Sequence, residues 1–446
     1  MCGQPAGGPD QMGWGKRIGA ECSPGSTGRF LAVTGSVSPS RRLELVEEAF
    51  RTLPDRYLGA EPAFDATYHI RLGDVGQMWE VRATTHRVRV RKGTSQRPDV
   101  TIATDSATWL GLRAARLSGL EAFSRRQLYA RGNLDLAVGF EGLFRRPDGR
   151  SPLLRMHDVN LPGRRVSVLT MGEGIDVLLL HGLGGTKSSF YDTAAHLSSR
   201  YRVHALDFPG FGSSSKPATA SYSPGYFAET VVDVMDALDI DRAHLIGNSM
   251  GGRVALEVGL SRPERVGALG LLCPAVAFIK RGFHPLVRLL RPELGMLPHR
   301  FRRATVAAQF WSMFAERDLV DPGVGDIAVD EFQRIYGSAG ARYAFLSAAR
   351  NIYLDAPFGK NGFYPRLAGL QAPALFVWGS HDTLVPCGFQ RHVAEWLPDA
   401  EQIVLDGCGH VPQVERPAEA NRLLGRFLAR ADTLPRQAAK RLSTAA

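Results

Sequence analysis

The run Gly247-Asn248-Ser249-Met250-Gly251-Gly252 constrains the fold more than any other segment of the chain. It is preceded by Ala243-His244-Leu245-Ile246, a short apolar run of strand character, and followed by a helical pattern to Leu260. A chain that leaves a strand and enters a helix within so few residues needs glycine on both sides of the turn. A Cβ there would hold strand and helix apart. The serine then projects from a tight bend beside a helix amino terminus, whose aligned peptide dipoles favour negative charge. Such a unit belongs in a parallel sheet covered by helices.

The surrounding sequence repeats the pattern. Short apolar runs at Arg165–Thr170, Asp176–Leu180, Arg202–Leu206, Ala243–Gly247, Ala268–Leu272, Ala374–Gly379 and Glu401–Leu405 alternate with helical stretches. The helical stretches include Ser188–Ser199, Ala228–Leu238 and Ala418–Leu428. Continuous runs such as Val177-Leu178-Leu179-Leu180 predict strands buried on both faces, hence a mostly parallel sheet.

Serine is a weak nucleophile at neutral pH and needs a base. His410 stands on the glycine-rich loop Asp406-Gly407-Cys408-Gly409-His410, directly after the last strand run. An acid that orients the histidine is expected between serine and histidine in chain order, and Asp382 follows the run ending Trp378-Gly379. His181-Gly182-Leu183-Gly184-Gly185 follows Val177–Leu180, and its glycines allow backbone N–H groups to face a reaction centre. The N–H groups of Leu183 and Met250 are the candidate oxyanion donors. Activity would fall on the acid side, because an imidazolium cannot accept the serine proton.

The ordered motifs HGLGG, DFPGFGSS (from Asp207), GNSMGG, WGSHD and GCGH resemble the α/β-hydrolase superfamily over about residues 152–432. The resemblance implies a triad of Ser249, Asp382 and His410. It also implies a helical lid, here about residues 276–366. Two enzyme activities follow from it: hydrolysis of a carboxylic ester or thioester of a lipid through an acyl-enzyme, or carbon–carbon hydrolysis of ring-fission products. The carbon–carbon hydrolases usually carry tryptophan after the catalytic histidine, where this chain has Val411. Cofactor-free haloperoxidases share the serine triad. A carrier without catalysis is the non-enzyme alternative, and the intact motif set argues against it. No cofactor is implied, and no short histidine cluster such as H-E-x-x-H points to a metal.

Upstream, the pattern differs. Leu43–Leu58 has helical spacing, followed by alternation through Phe64–Leu72, Trp79–Ala83, Val88–Val90 and Val100–Ile102. These runs predict half-buried strands of a mainly antiparallel sheet. From Asp105 to Phe144 the period reads as helical throughout. This α+β segment resembles sterol carrier protein type two over about residues 42–147. The features that match are the Phe64–Leu72 strand, Trp79-Glu80-Val81, Pro98-Asp99-Val100-Thr101-Ile102 and the run Gly132–Ala137. The resemblance implies an apolar tunnel for sterol, fatty acid or acyl-CoA.

The expected division is therefore a Gly/Ser/Pro-rich arm over 1–40, a sterol-carrier-like lipid-binding domain over 41–147, the hydrolase-like domain over 148–432 and a tail over 433–446. Arg145–Arg150 reads as a linker. No apolar stretch approaches the ~20 residues of a spanning helix. Five cysteines, odd in number and widely spaced, lack a C-x-x-C pair and no apolar signal region precedes Cys2. The expected location is cytoplasmic. The net charge of +10 is diffuse and carries no nucleic-acid-binding motif, so nucleic acid is not an expected partner. Locally, however, residues 276–315 hold seven basic residues and the single acid Glu293, interleaved with aromatic and aliphatic residues. That makes an anionic membrane surface a candidate partner and peripheral association a candidate location, beside a hydrophobic acyl substrate. Oligomeric state is not encoded in any motif.

Overall fold

A computed structural model describes residues 38–278, 291–298, 301–320 and 322–433. Residues 1–37 of the expected arm, 434–446 of the expected tail, residue 321 and the basic lid residues 279–290 and 299–300 lie outside the described residues, and with them most of the positions behind the membrane-contact expectation.

Two sheets organise the chain. The first has five strands in the order β3-β2-β1-β4-β5, with β1 Asp65–Leu72, β2 Gln77–Thr84, β3 Arg87–Lys92, β4 Val100–Thr104 and β5 Leu128–Gly132. Every pairing is antiparallel except β1 with β4. The helix Pro39–Arg51 is capped by Ser38, whose hydroxyl accepts from Arg41 N, and starts with proline, which suits a helix start. It buries Val46 and Phe50 on the sheet. The Phe50 ring lies between Trp79 and Trp109, at centroid distances of 4.3 and 4.6 Å. The helical reading of 105–144 is corrected at one place: β5 interrupts the helices Ser106–Arg113, Gly119–Ser124 and Leu134–Gly139. Leu128 and Ala130 are buried while Arg131 and Gly132 are exposed. A five-residue edge strand is too short for its alternation to stand out among leucines at helical spacing.

The second sheet has eight strands in the order β13-β12-β11-β10-β8-β9-β7-β6. They are β6 Leu154–Leu161, β7 Arg164–Met171, β8 Ile175–Leu180, β9 Tyr201–Leu206, β10 Ala243–Asn248, β11 Val266–Leu272, β12 Ala374–Gly379 and β13 Glu401–Leu405. Strands β8 to β13 run parallel, and the β6–β7 hairpin joins β9 antiparallel. The sequence reading missed β6, which buries only Leu154 and Val159 and so lacks an apolar pattern. Strand order reverses at β8, flanked by β9 on one side and β10 on the other. Loops at the carboxyl ends diverge there and leave a crevice.

Between β11 and β12 the described lid consists of the helices Arg303–Trp311, Pro322–Tyr336, Ala339–Leu354 and Phe363–Leu367, with 3₁₀ turns at Pro292–Met296 and Arg317–Leu319. Among the described residues no helix is long and apolar enough to cross a membrane.

The two sheets do not sit on a loose tether. Arg145 N donates to Arg56 O at 2.7 Å, and one apolar core runs from Phe50 and Ile70 through Leu154 to Val177 and Leu424. At the junction, Asp135 from the first sheet's side reaches Lys187 Nζ at 2.8 Å, with Asp207 on the same ammonium at 2.7 Å. Lys187 is fully buried, and its two carboxylate partners hold it charged against burial, which opposes the charge. Tyr191 and Ser213 also donate to Asp135.

Candidate active site

Ser249 sits between β10 and the helix Met250–Ser261, with φ 52° and ψ −115°. A non-glycine residue rarely adopts this backbone, which costs about 1–3 kcal/mol and persists only where the surroundings enforce it. They do so here: Ser249 N donates to Leu272 O at 3.0 Å, and Ser249 O accepts from Ala275 N and Arg253 N. A Cβ on Gly251 would lie 1.9 Å from Leu180 O, so the helix start can approach β8 only as glycine. The helix begins at Met250, immediately after the serine. The first N–H groups of a helix have no intrahelical acceptor, and Met250 N is one of them.

Asp382 and His410 meet, His410 Nδ1 lying 2.7 Å from Asp382 Oδ2. Both are buried. A carboxylate only accepts, so the proton belongs on Nδ1 and Nε2 is left as the acceptor. The other oxygen, Asp382 Oδ1, accepts from Leu384 N and Val385 N at 2.8 and 2.9 Å, which fixes the carboxylate plane. His381, the loop neighbour, turns to Ser380 Oγ at 2.8 Å.

Asn248 joins the two halves, a role the sequence reading did not assign. Its buried Nδ2 donates to Leu272 O and to His410 O, both at 3.0 Å, tying the strand that presents Ser249 to the loop that carries His410. The glycine loop after β8 completes the cluster: a Cβ on Gly182 would lie 3.3 Å from Ser249 Cβ. His181 Nε2 accepts from Phe208 N at 3.0 Å, so Nδ1 carries the proton and donates to Gly182 O at 2.8 Å. Burial lowers the pKa of His181, in keeping with a neutral ring. Gly185 N reaches the same carbonyl at 3.1 Å. In a trans peptide the carbonyl and the following N–H point opposite ways, so anchoring Gly182 O turns Leu183 N–H away from His181. Phe345 and Phe332 from the lid lie 3.1 and 3.7 Å from a Cβ built on Gly184, so aromatic rings pack against the glycine loop.

Cys273, one of the cysteines given no role from sequence, lies beside the pair. Its donor atom falls within 4.8 Å of those of Asp382 and His410, the one such cluster with metal-ligating atoms among the described residues. The donor set suits a metal poorly. Burial, followed by the Asp382 charge, raises the Cys273 thiol well above its ordinary pKa, and both Asp382 oxygens already accept hydrogen bonds.

Residues 177–417 match the family model described as alpha/beta hydrolase fold, and residues 55–145 match the SCP-2 sterol transfer family. A 2-hydroxymuconate semialdehyde hydrolase of Pseudomonas putida is 29% identical over 288 residues, 61% of this chain and 93% of the relative. A pimeloyl-[acyl-carrier protein] methyl ester esterase of Aeromonas hydrophila is 30% identical over 269 residues, 59% of this chain and 99% of the relative. Among solved structures, a membrane phospholipase A described as a bacterial virulence factor aligns with a TM-score of 0.54 at 29% identity, covering 63% of this chain and 88% of that one.

Proposed function

The chain belongs to the alpha/beta hydrolase fold family, and from that premise we propose that it is a serine hydrolase cleaving a carboxylic ester, or thioester, of a hydrophobic acyl substrate. The observation that carries this reading is the buried Asp382–His410 pair at 2.7 Å, linked through Asn248 to the turn that presents Ser249. Ser249 Oγ attacks the carbonyl carbon while His410 Nε2 takes its proton. Negative charge gathers on the carbonyl oxygen and is met by the N–H groups of Leu183 and Met250. His410 then gives its proton to the leaving oxygen, the bond to the alcohol breaks and an acyl-serine remains. Water repeats the cycle and frees the acid. Asp382 holds the ring in the required tautomer throughout.

The hydrophobic character of the substrate rests on three supports: the lid aromatics packed against Gly184, the sterol-carrier-like domain and the likeness to a phospholipase A. A second reading, carbon–carbon hydrolysis of a dienol ketone, is favoured by the relatives named 2-hydroxymuconate semialdehyde hydrolase and uses the same residues. A fluorophosphonate probe should label wild-type protein and leave Ser249→Ala unlabelled. Equal labelling of both would end the serine reading. Nitrophenyl esters of increasing chain length, assayed beside a dienol ketone, separate the two chemistries by which is turned over.

A further inference from the structure

The loop carrying His410 is held from two sides, and one side is the lid. Glu415 ends the short helix Pro412–Glu415 and is 3% exposed. Its Oε1 accepts from Ala315 N and Glu316 N, both at 2.7 Å. Its Oε2 accepts from Gly409 N at 2.7 Å and from the Cys408 thiol at 3.7 Å. Four donors thus converge on one carboxylate, two from a lid segment about a hundred residues upstream and two from the residues just before His410.

Two further interactions run in parallel. His410 N donates directly to Met313 O at 2.7 Å. Arg416 bridges Glu316 Oε1 at 2.6 Å and Gly407 O at 3.0 Å. A buried carboxylate is stable only when its lone pairs are met by donors, and here half of those donors belong to the lid. Lifting Met313–Glu316 would strip two bonds from a buried charge and remove the acceptor from the His410 amide. The lid segment and the histidine loop therefore share one set of hydrogen bonds.

We propose that Glu415 is a positioning residue, a latch that makes the alignment of His410 on Asp382 depend on the lid segment Met313–Glu316 being seated. This rests on the serine-hydrolase reading for its consequence in catalysis, and on geometry alone for the latch. Glu415 has no direct part in the chemistry, because its oxygens face backbone amides and a thiol.

The test uses the full chain and Glu415→Gln, which keeps one acceptor oxygen and places an NH₂ against amide donors. With a nitrophenyl ester, kcat should fall about 10- to 100-fold with KM little changed, as expected when a reacting group is misplaced while the substrate is still bound as before. The far-downfield proton resonance of His410 Nδ1–H should shift or broaden. Hydrogen exchange at Ala315, Glu316 and Gly409 should accelerate together. Unchanged kcat and an unmoved resonance in folded Glu415→Gln would overturn the proposal. So would faster exchange at Gly409 with full protection kept at 315–316. Should the variant fail to fold, wild-type protein still decides. A latch requires Ala315, Glu316 and Gly409 to exchange with one common opening, and rates differing by orders of magnitude would refute it. Ser249→Ala separates the premises, since it should abolish turnover while leaving resonance and exchange intact. Persisting turnover would remove the serine reading without touching the latch.

Discussion

Ser249 occupies a backbone region that glycine would prefer, and nothing in its side chain explains why serine stands there. The strain is held by hydrogen bonds with Leu272 and Ala275, and the proposed serine chemistry is what gives that strain a use. His181 shows the same economy one strand away, as a neutral imidazole that accepts from Phe208 and anchors the glycine loop. Burial sets its pKa below the ordinary 6.5, which gives a signed prediction. Above about 6.5 both folded and unfolded chains carry neutral histidine. Below it the unfolded chain binds a proton that the folded chain refuses, so stability is lost as pH falls. Thermal midpoints measured from about pH 7.5 down to about 5.5 should decline, and His181→Asn should give a shallower slope. The slope should not vanish, because burial also lowers the pKa of His157 and His244.

Among elements, the unit that matters is β10, the turn and the helix Met250–Ser261. Its geometry depends on Gly251, which touches the backbone end of β8. Gly251→Ala should destabilise by about 3 kcal/mol or more, since backbone on both sides must move and overpacking has no flexible side chain to absorb it. Denaturant titration checks this, and a loss under about 1 kcal/mol would show that the turn has room to relax. Elements were also where sequence patterns were most and least legible. Runs such as Leu178-Leu179-Leu180 and Phe376-Val377-Trp378 are buried on both faces and announce themselves. β5 and β6 are short or largely polar and lie at sheet edges, so neither period nor hydrophobicity marked them.

At the scale of the whole molecule, the buried ammonium of Lys187 joins the domains, held by Asp207 of its own domain and Asp135 from the other. Removing Asp135 leaves Lys187 with Asp207 as its counter-ion but strips the acceptor from the Tyr191 and Ser213 hydroxyls, and a buried donor left unsatisfied typically costs about 1–3 kcal/mol. Asp135→Ala should therefore lower stability by about 2–4 kcal/mol and split a shared unfolding transition into two, as read by calorimetry. A single transition with an unchanged midpoint would mean that apolar packing alone couples the domains.

The fold class and the meeting of Asp382 with His410 were legible because each depends on local rules. A strand end, a glycine turn and an ordered set of loops place those side chains on one edge of a parallel sheet. Asn248, Glu415 and Asp135 were not legible. Their partners are His410, the Ala315–Glu316 amides and Lys187, brought near only by packing. A buried polar group is defined by the donors and acceptors around it, and no periodicity in the chain records which distant backbone will supply them. By itself the sequence determined a hydrolase-type sheet, its loops and a second, sterol-carrier-like domain. Tertiary structure decided how the lid grips the histidine loop and how one buried lysine joins the two domains, because both depend on satisfying charge in a place water cannot reach.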